Sequence, residues 1–282
     1  MKQKEAFQDT ISLLRSVYEP HEASSIARLV FEDLDMRPLM IFSDPEVVMS
    51  SEKLARLKDY ITRLLEREPV QYVLGYAWFR ERKFFVNSDC LIPRQETEQL
   101  VEHILEEAGR RLHLLDIGTG SGCIPVSLSA ERPEWKVEAM DINSGAIKLA
   151  KRNAKSNHVK VKYMNDNILQ PDYSRYADQY DIIVSNPPYV RESERSAMDL
   201  NVLDYEPDSA LFVPDNNALV FYYAIREFSL NKLKKGGKLF LEINEALGVE
   251  TRDVFLNKGF SDVVILKDIH GRNRFIKAKK DE

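Results

Sequence analysis

From Pro93 to its C-terminus the chain alternates helical periodicity with short apolar runs, and this alternation restricts the possible folds more than any other feature. The runs lie at 112–117, 137–140, 159–163, 182–184 and 239–243. Helical spacing falls near 96–108, 123–130, 144–156, 217–233 and 246–258. Strands buried on both faces read as nearly continuous apolar runs, and strands joined through helices run parallel with helices covering both faces of the sheet. Two further extended stretches, 263–266 and 274–278, flank His270-Gly271-Arg272-Asn273 and read as a terminal hairpin. The expected fold is therefore α/β: a Rossmann-like mixed sheet with an antiparallel strand at that edge.

The first seventy residues carry a different pattern. Apolar residues recur at helical spacing in Phe7, Ile11 and Leu14, in Ile26, Leu29 and Val30, and in Leu54, Leu57, Ile61, Leu64 and Leu65. Asp44-Pro45 reads as an N-cap with proline in the first turn, and Ser50-Ser51 precedes the longest of these helices. Between Val70 and Ile92 aromatic and β-prone residues take over, broken by Arg80-Glu81-Arg82-Lys83, which suggests a β-hairpin. The expected partition is a helical domain over 1–70, a hairpin linker over 71–92 and the α/β domain over 93–282. A chain of 282 residues is ample for two domains.

Composition narrows the classes of function. No uncharged apolar run approaches the roughly 18 residues that span a bilayer, and Met1-Lys2-Gln3-Lys4-Glu5 leads into an amphipathic pattern instead of a secretory signal. With Cys90 and Cys123 the only cysteines, a reducing cytoplasmic setting is expected, away from membranes. Forty basic against forty-five acidic residues, a net charge of −5, would repel a phosphate backbone unless basic groups were gathered on one face.

The first run ends in Asp116-Ile117-Gly118-Thr119-Gly120-Ser121-Gly122, a glycine loop between strand and helix. Glycine serves where backbone turns tightly and approaches a ligand without a Cβ in the way, although a plain tight turn or a phosphate loop uses the same residues. The loop lacks the Lys-Ser/Thr pair of a Walker motif. Asp141, at the end of the second run, stands where a carboxylate accepts hydrogen bonds from both ribose hydroxyls of an adenosine. Loop and aspartate together suggest an adenosine-containing cofactor, and the Gly-x-Gly-x-Gly spacing favours S-adenosylmethionine over a nicotinamide dinucleotide. Asp166-Asn167 follows the third run, either reading the adenine edge or forming a loop-capping turn.

The fourth run leads into Asn186-Pro187-Pro188-Tyr189. In an open α/β sheet ligands bind beyond the carboxyl ends of strands, which places this tetrapeptide beside the glycine loop. Successive prolines fix the backbone and remove N–H donors, so with the Asn186 side-chain oxygen they offer an acceptor-only cradle for a planar NH₂ group. By typical composition the four residues arise by chance in a chain of this length on the order of once in a thousand.

These segments, together with Glu68–Gly75, Leu91–Glu98, Tyr205-Glu206-Pro207 and Asp268–Arg274, resemble the peptide-chain release factor glutamine N5-methyltransferases, the PrmC/HemK family. The resemblance implies a class I S-adenosylmethionine methyltransferase core and a helical N-terminal domain that helps hold a substrate protein. On matching positions it places Gly118, Gly120 and Gly122 along the methionine part of the cofactor and Asp141 on the ribose, with Thr119 and Ser121 of the same loop also binding the cofactor. Asn186, Pro187, Pro188 and Tyr189 would hold the glutamine amide, with Asn186 touching the cofactor as well. Asn167 departs from relatives that carry an aromatic residue there. Pro93-Arg94 and Glu96-Thr97 would line the pocket, although helix capping explains them equally, since Leu100, Val101 and Ile104 begin an amphipathic helix.

An amide nitrogen is a poor nucleophile because its lone pair is shared with the carbonyl. Two acceptors on its hydrogens raise its electron density and orient it for in-line displacement, with Tyr189 packed against the amide plane. None of the five histidines has ligand-like or triad-like spacing, so no metal is expected. The expected partner is a class I release factor, methylated on the glutamine of its Gly-Gly-Gln motif. The rivals are a glutamine methyltransferase of a ribosomal protein and an adenine-N6 nucleic-acid methyltransferase. Against the latter, residues 1–90 hold 13 Lys/Arg and 15 Asp/Glu, a poor balance for gripping phosphates, and no direct nucleic-acid binding is expected.

Overall fold

A computed structural model describes every residue except Pro45, Ala108, Arg110 and Glu282, and every described side chain but those of Pro38, Leu39 and Met40. The expected Asp44-Pro45 cap therefore lies outside the described residues. The chain forms two compact units, Met1–Tyr76 with Asp199–Tyr205, and Ala77–Met198 with Glu206–Glu282. This differs from the expected partition in three respects. Val70–Leu74 is helical and belongs to the first unit. The hairpin strands Tyr76–Phe79 and Arg82–Phe85 are mostly part of the second, because Phe79 and Phe84 are fully buried in its core against Leu100 and Ile104. Asp199–Tyr205 joins the first unit across a long sequence gap, with the Tyr205 hydroxyl donating to the Glu66 carbonyl at 2.8 Å.

The first unit is built on helices Gln3–Leu14, Pro20–Asp33 and Ser51–Leu65. Their apolar faces meet in a core of Phe7, Leu14, Ile26, Val30, Phe31, Leu57 and Leu64. Ser50 caps the longest helix, its hydroxyl accepting from the Lys53 amide at 3.3 Å.

The second unit holds a seven-stranded sheet: β1 (His113–Ile117), β2 (Lys136–Asp141), β3 (Lys162–Asn165), β4 (Tyr180–Ser185), β5 (Leu233–Glu242), β6 (Phe260–Lys267) and β7 (Asn273–Lys280). Their order is β6-β7-β5-β4-β1-β2-β3. The first five run parallel, and β7 is antiparallel to both its neighbours. The antiparallel strand thus stands one place in from the edge, with β6 outside it. Alternate residues face opposite layers, as the two-residue period of a strand demands. Leu115, Ile183, Leu239 and Leu241 pack under helices Val220–Lys232 and Gly248–Phe255, and Leu114, Ile182, Val184 and Phe240 under Gln95–Leu105 and Cys123–Glu131.

One expected strand is displaced. The run 159–163 yields a strand only from Lys162, because Val159 closes the preceding helix, Ser144–Ser156. Its amide donates to the Ala154 carbonyl at 3.0 Å and that of His158 to Lys155 at 3.2 Å, while His158 takes φ +56°. This is a Schellman closure with histidine where glycine is the usual signal. The hairpin connection is equally specific: Arg80 and Glu81 both have positive φ, which matches strand twist in a two-residue turn. The Arg80 guanidinium holds Glu131 through contacts of 2.8 and 3.1 Å.

Candidate active site

The carboxyl ends of β1, β2 and β4 open onto one cavity of about 270 Å³ within the second unit. The break in strand order between β1 and β4 puts it where an open α/β sheet leaves a crevice. Gly118, Thr119, Gly120, Ser121, Asp141, Asp166, Asn167, Asn186, Pro187 and Pro188 all line it, so the structure brings these sequence-derived candidates together. Gly122 and Tyr189 are not on its wall.

After β1 the chain turns back over β2: the amides of Gly118 and Thr119 both donate to the Met140 carbonyl, at 2.9 and 3.0 Å. The three loop glycines have φ of +75°, +53° and +80°, a region costly for any residue with a Cβ. Their duties differ. A Cβ at Gly120 would meet nothing nearer than Cys90 at 3.7 Å, leaving that face of the loop open. A Cβ at Gly122 would lie 3.0 Å from Ala150, so this glycine serves helix packing and not the cavity, contrary to the expectation that grouped all three.

Asp141 ties the loop to β2. One carboxylate oxygen accepts from the Gly120 amide and the other from Asn143, both at 2.8 Å. Burial pushes its pKa up, and the amides of Gly120, Asn143 and Ile142 draw it back down. A carboxylate has about four lone-pair sites, so it keeps acceptor capacity for a ligand. Asp116, buried behind the loop, has no hydrogen bond to either carboxylate oxygen, and the neighbouring Thr119 hydroxyl is also unpaired. Burial raises the Asp116 pKa to about 7, against an opposing influence of Thr119. Sequence reasoning quoted Asp116 as the head of the loop and gave it no role.

Asp166-Asn167 forms the loop-capping turn. The pair caps its own loop, Asp166 accepting from the Asn167 and Asp172 amides and the Tyr176 hydroxyl, and Asn167 accepting from the Leu169 amide. Both residues also line the cavity. Burial pushes the Cys90 and Cys123 thiols up to about 12, so neither supplies a thiolate at neutral pH.

The Asn186–Tyr189 segment is held by groups remote in sequence. Asn186 Nδ2 donates to Thr97 Oγ1 at 3.3 Å, and the Thr97 hydroxyl donates to Glu242 Oε2 at 2.8 Å. The Tyr189 hydroxyl donates to Glu242 Oε1 at 2.9 Å, and Asn244 Nδ2 donates to the Tyr189 carbonyl at 3.1 Å. The Tyr189 ring lies against the β5-side core and its hydroxyl is held by Glu242, which makes it an anchor of this segment. Around residues 93–97 the structure decides between two readings. Pro93, Arg94 and Thr97 line the cavity, Glu96 does not, and Arg94 makes no side-chain cap. Arg94 instead pairs with buried Glu206 at 2.6 Å, and Glu206 also accepts from the Ile92 amide at 3.0 Å.

Glu206, Glu242 and Asn244 are the residues sequence reasoning missed as site components. The only available signal was the Tyr205-Glu206-Pro207 segment, quoted without a role. Among the described residues no three or more His, Cys, Asp or Glu side chains gather as a metal would require.

The sequence pattern of the Methyltransferase small domain matches residues 95–203, and that of the PrmC N-terminal domain matches residues 5–75. A protein of Bacteroides thetaiotaomicron named release factor glutamine methyltransferase is 41% identical over 268 residues, covering 95% of this chain and 96% of its own. One of the same name from Flavobacterium psychrophilum is 38% identical over 274 residues, covering 95% of each. The crystal structure of a methyltransferase from Pyrococcus furiosus superposes with a TM-score of 0.50 at 17% identity, over 83% of this chain and all of that one, a likeness of fold alone.

Proposed function

Because this chain belongs to the release factor glutamine methyltransferase family, we propose that it methylates the side-chain amide N5 of the Gly-Gly-Gln glutamine in class I peptide chain release factors, using S-adenosylmethionine. The observation that carries the reading is the orientation of Asn186, whose NH₂ is turned to Thr97 and whose Oδ1 is left as an acceptor at the cavity wall.

The residues present fit the cofactor. Asp141 retains acceptor capacity for a ribose diol beyond the amides it already holds. The open face at Gly120 admits a ligand against the loop. The unpaired Asp116 carboxylate and Thr119 hydroxyl form a buried polar pair suited to a cationic amino-acid end. When bound there, S-adenosylmethionine supplies an electrophilic methyl group on sulfur.

The protein's own part is positioning. Asn186 Oδ1 and the Pro187 carbonyl accept the two N–H bonds of the glutamine amide and hold its nitrogen in line with the methyl. With both hydrogens held by acceptors, the nitrogen gains electron density for attack, and as the N–C bond would form and the C–S bond break, one of those hydrogens would pass as a proton along its hydrogen bond to water. Pro187 and Pro188 contribute no N–H that would compete. The helical unit takes up the rest of the release factor, and a cytoplasmic site of action belongs to this reading.

The test compares wild type with Asn186→Ala, using labelled S-adenosylmethionine and a purified release factor. Wild type should label the factor. The variant should lose transfer by roughly 100-fold or more, the scale of losing one preorganised polar group, while keeping S-adenosylhomocysteine affinity within a few-fold. Joint loss of affinity and turnover would move Asn186 to the donor side.

A further inference from the structure

One buried carboxylate governs both ends of the Asn186–Tyr189 segment. Glu242 ends β5 only 2% exposed, its two side-chain oxygens spent on Thr97 and Tyr189. Its backbone carbonyl accepts from the Tyr222 hydroxyl at 3.0 Å. An ionised carboxylate is acceptor-only, whereas a hydroxyl has a single hydrogen to give. Thr97 gives its hydrogen to Glu242, so toward Asn186 it can only accept. An amide has one donor end and one acceptor end, and its donor end must therefore turn to Thr97. The direction of the whole chain is set by the residue that has no hydrogen.

Resting on the function proposed above, we propose that Glu242 is a positioning residue for methyl transfer: acting through Thr97, its negative charge fixes which end of the Asn186 amide faces the acceptor glutamine. Through Tyr189 the same carboxylate anchors the far end of the segment. If Glu242 becomes a hydrogen-bond donor, by protonation or by replacement with glutamine, Thr97 is free to turn its hydrogen toward Asn186. The Asn186 oxygen is then drawn inward and its NH₂ faces the NH₂ of the substrate, donor against donor in a buried site.

The surroundings of Glu242 make this polarity sensitive to pH. Burial raises its pKa, Glu96 adds to the rise, and Thr97, Tyr189 and the Arg274 guanidinium oppose it. Arg274 is itself held by Asp268, Nε to Oδ2, at 3.2 Å. Ionised Glu242 is the competent form, so activity should fall on the acid side along a limb displaced upward from the ordinary glutamate range.

Two measurements test the proposal. The first needs no substrate: in enzyme bound to S-adenosylhomocysteine, the side-chain NH₂ resonances of labelled Asn186 are followed against pH. They should titrate in wild type, and the titration should vanish in Glu242→Gln and Thr97→Val. Resonances that do not move with pH in wild type would overturn the inference whatever the substrate proves to be. The second is kinetic. Glu242→Gln and Thr97→Val should each lower kcat roughly 100-fold, with KM for the release factor nearly unchanged. Thr97→Ser, which keeps the hydroxyl, should restore most of the loss, and S-adenosylhomocysteine binding reports folding throughout. Wild-type kcat in Glu242→Gln would overturn the positioning role. A wild-type enzyme that leaves the release factor unlabelled would defeat the family reading alone, since the resonance experiment stands apart from it.

Discussion

At the scale of single residues, the site divides into groups whose meaning is local and groups whose meaning is borrowed from partners. Glycine and proline act on their own backbone, so the loop at 118–122 and Asn186-Pro187-Pro188 were legible in the sequence, and so was a carboxylate closing β2. Glu242 was not: its partner Thr97 is 145 positions away, and Glu206 meets Ile92 across 114. No local pattern records such pairings. Asp141→Ala is predicted to do two things at once, removing ribose acceptors and releasing the Gly120 amide. The expected outcome is at least ~10-fold weaker S-adenosylhomocysteine binding by calorimetry, the loss of one to two hydrogen bonds to a charged group. Asp116 gives a pH signature. Its folded pKa of about 7 stands above the ordinary 3.8, so between those values the unfolded chain has released a proton that the native state keeps. Stability contributed by this group is therefore greatest below pH 4 and falls as pH rises toward 7. Urea unfolding of wild type and Asp116→Asn across that window should show the difference between them changing in this direction, and a constant difference would contradict it.

At the scale of elements, the pattern of apolar runs located the five parallel strands and their helices, but boundaries followed capping chemistry that composition disguises. His158 in the left-handed region gave no glycine signal, so Val159 read as strand when it closes a helix. The hairpin was legible from its break at Arg80–Lys83, and the structure narrows the turn to Arg80-Glu81, where both residues have positive φ. Asn153 joins these elements from the interior of helix Ser144–Ser156. It accepts from the Phe85 amide at 2.7 Å and donates to the carbonyls of Phe85 and Ser121 at 2.9 and 2.8 Å, linking hairpin, helix and glycine loop. Asn153→Ala leaves one buried and two part-buried backbone groups without their partner and should destabilise by about 1–3 kcal/mol, seen as a lower urea midpoint with unchanged slope. Gly122→Ala should cost about 1–3 kcal/mol from its positive φ and the contact with Ala150, with little direct effect on the cavity.

At the scale of the whole molecule, the second unit supplies every residue on the wall of the cavity, and the first supplies a separate helical body. The sequence announced two bodies through its change of periodicity near residue 70. It could not announce that Asp199–Tyr205 returns to the first, because that link is a tertiary contact of a short helix. The central claim is that an acceptor-only cradle selects a glutamine amide on a protein. The measurement that addresses it most directly is mass spectrometry of three substrates incubated with this enzyme and S-adenosylmethionine: a class I release factor, its Gly-Gly-Glu variant and double-stranded DNA. A glutamate would set acceptor against acceptor in a buried site, a mismatch that costs several powers of ten where hydrogen bonds define the pocket. The expected result is a gain of one methyl on the glutamine of the wild-type factor and none on the other two. Equal methylation of the glutamate variant, or methylated adenine in the DNA, would contradict the account.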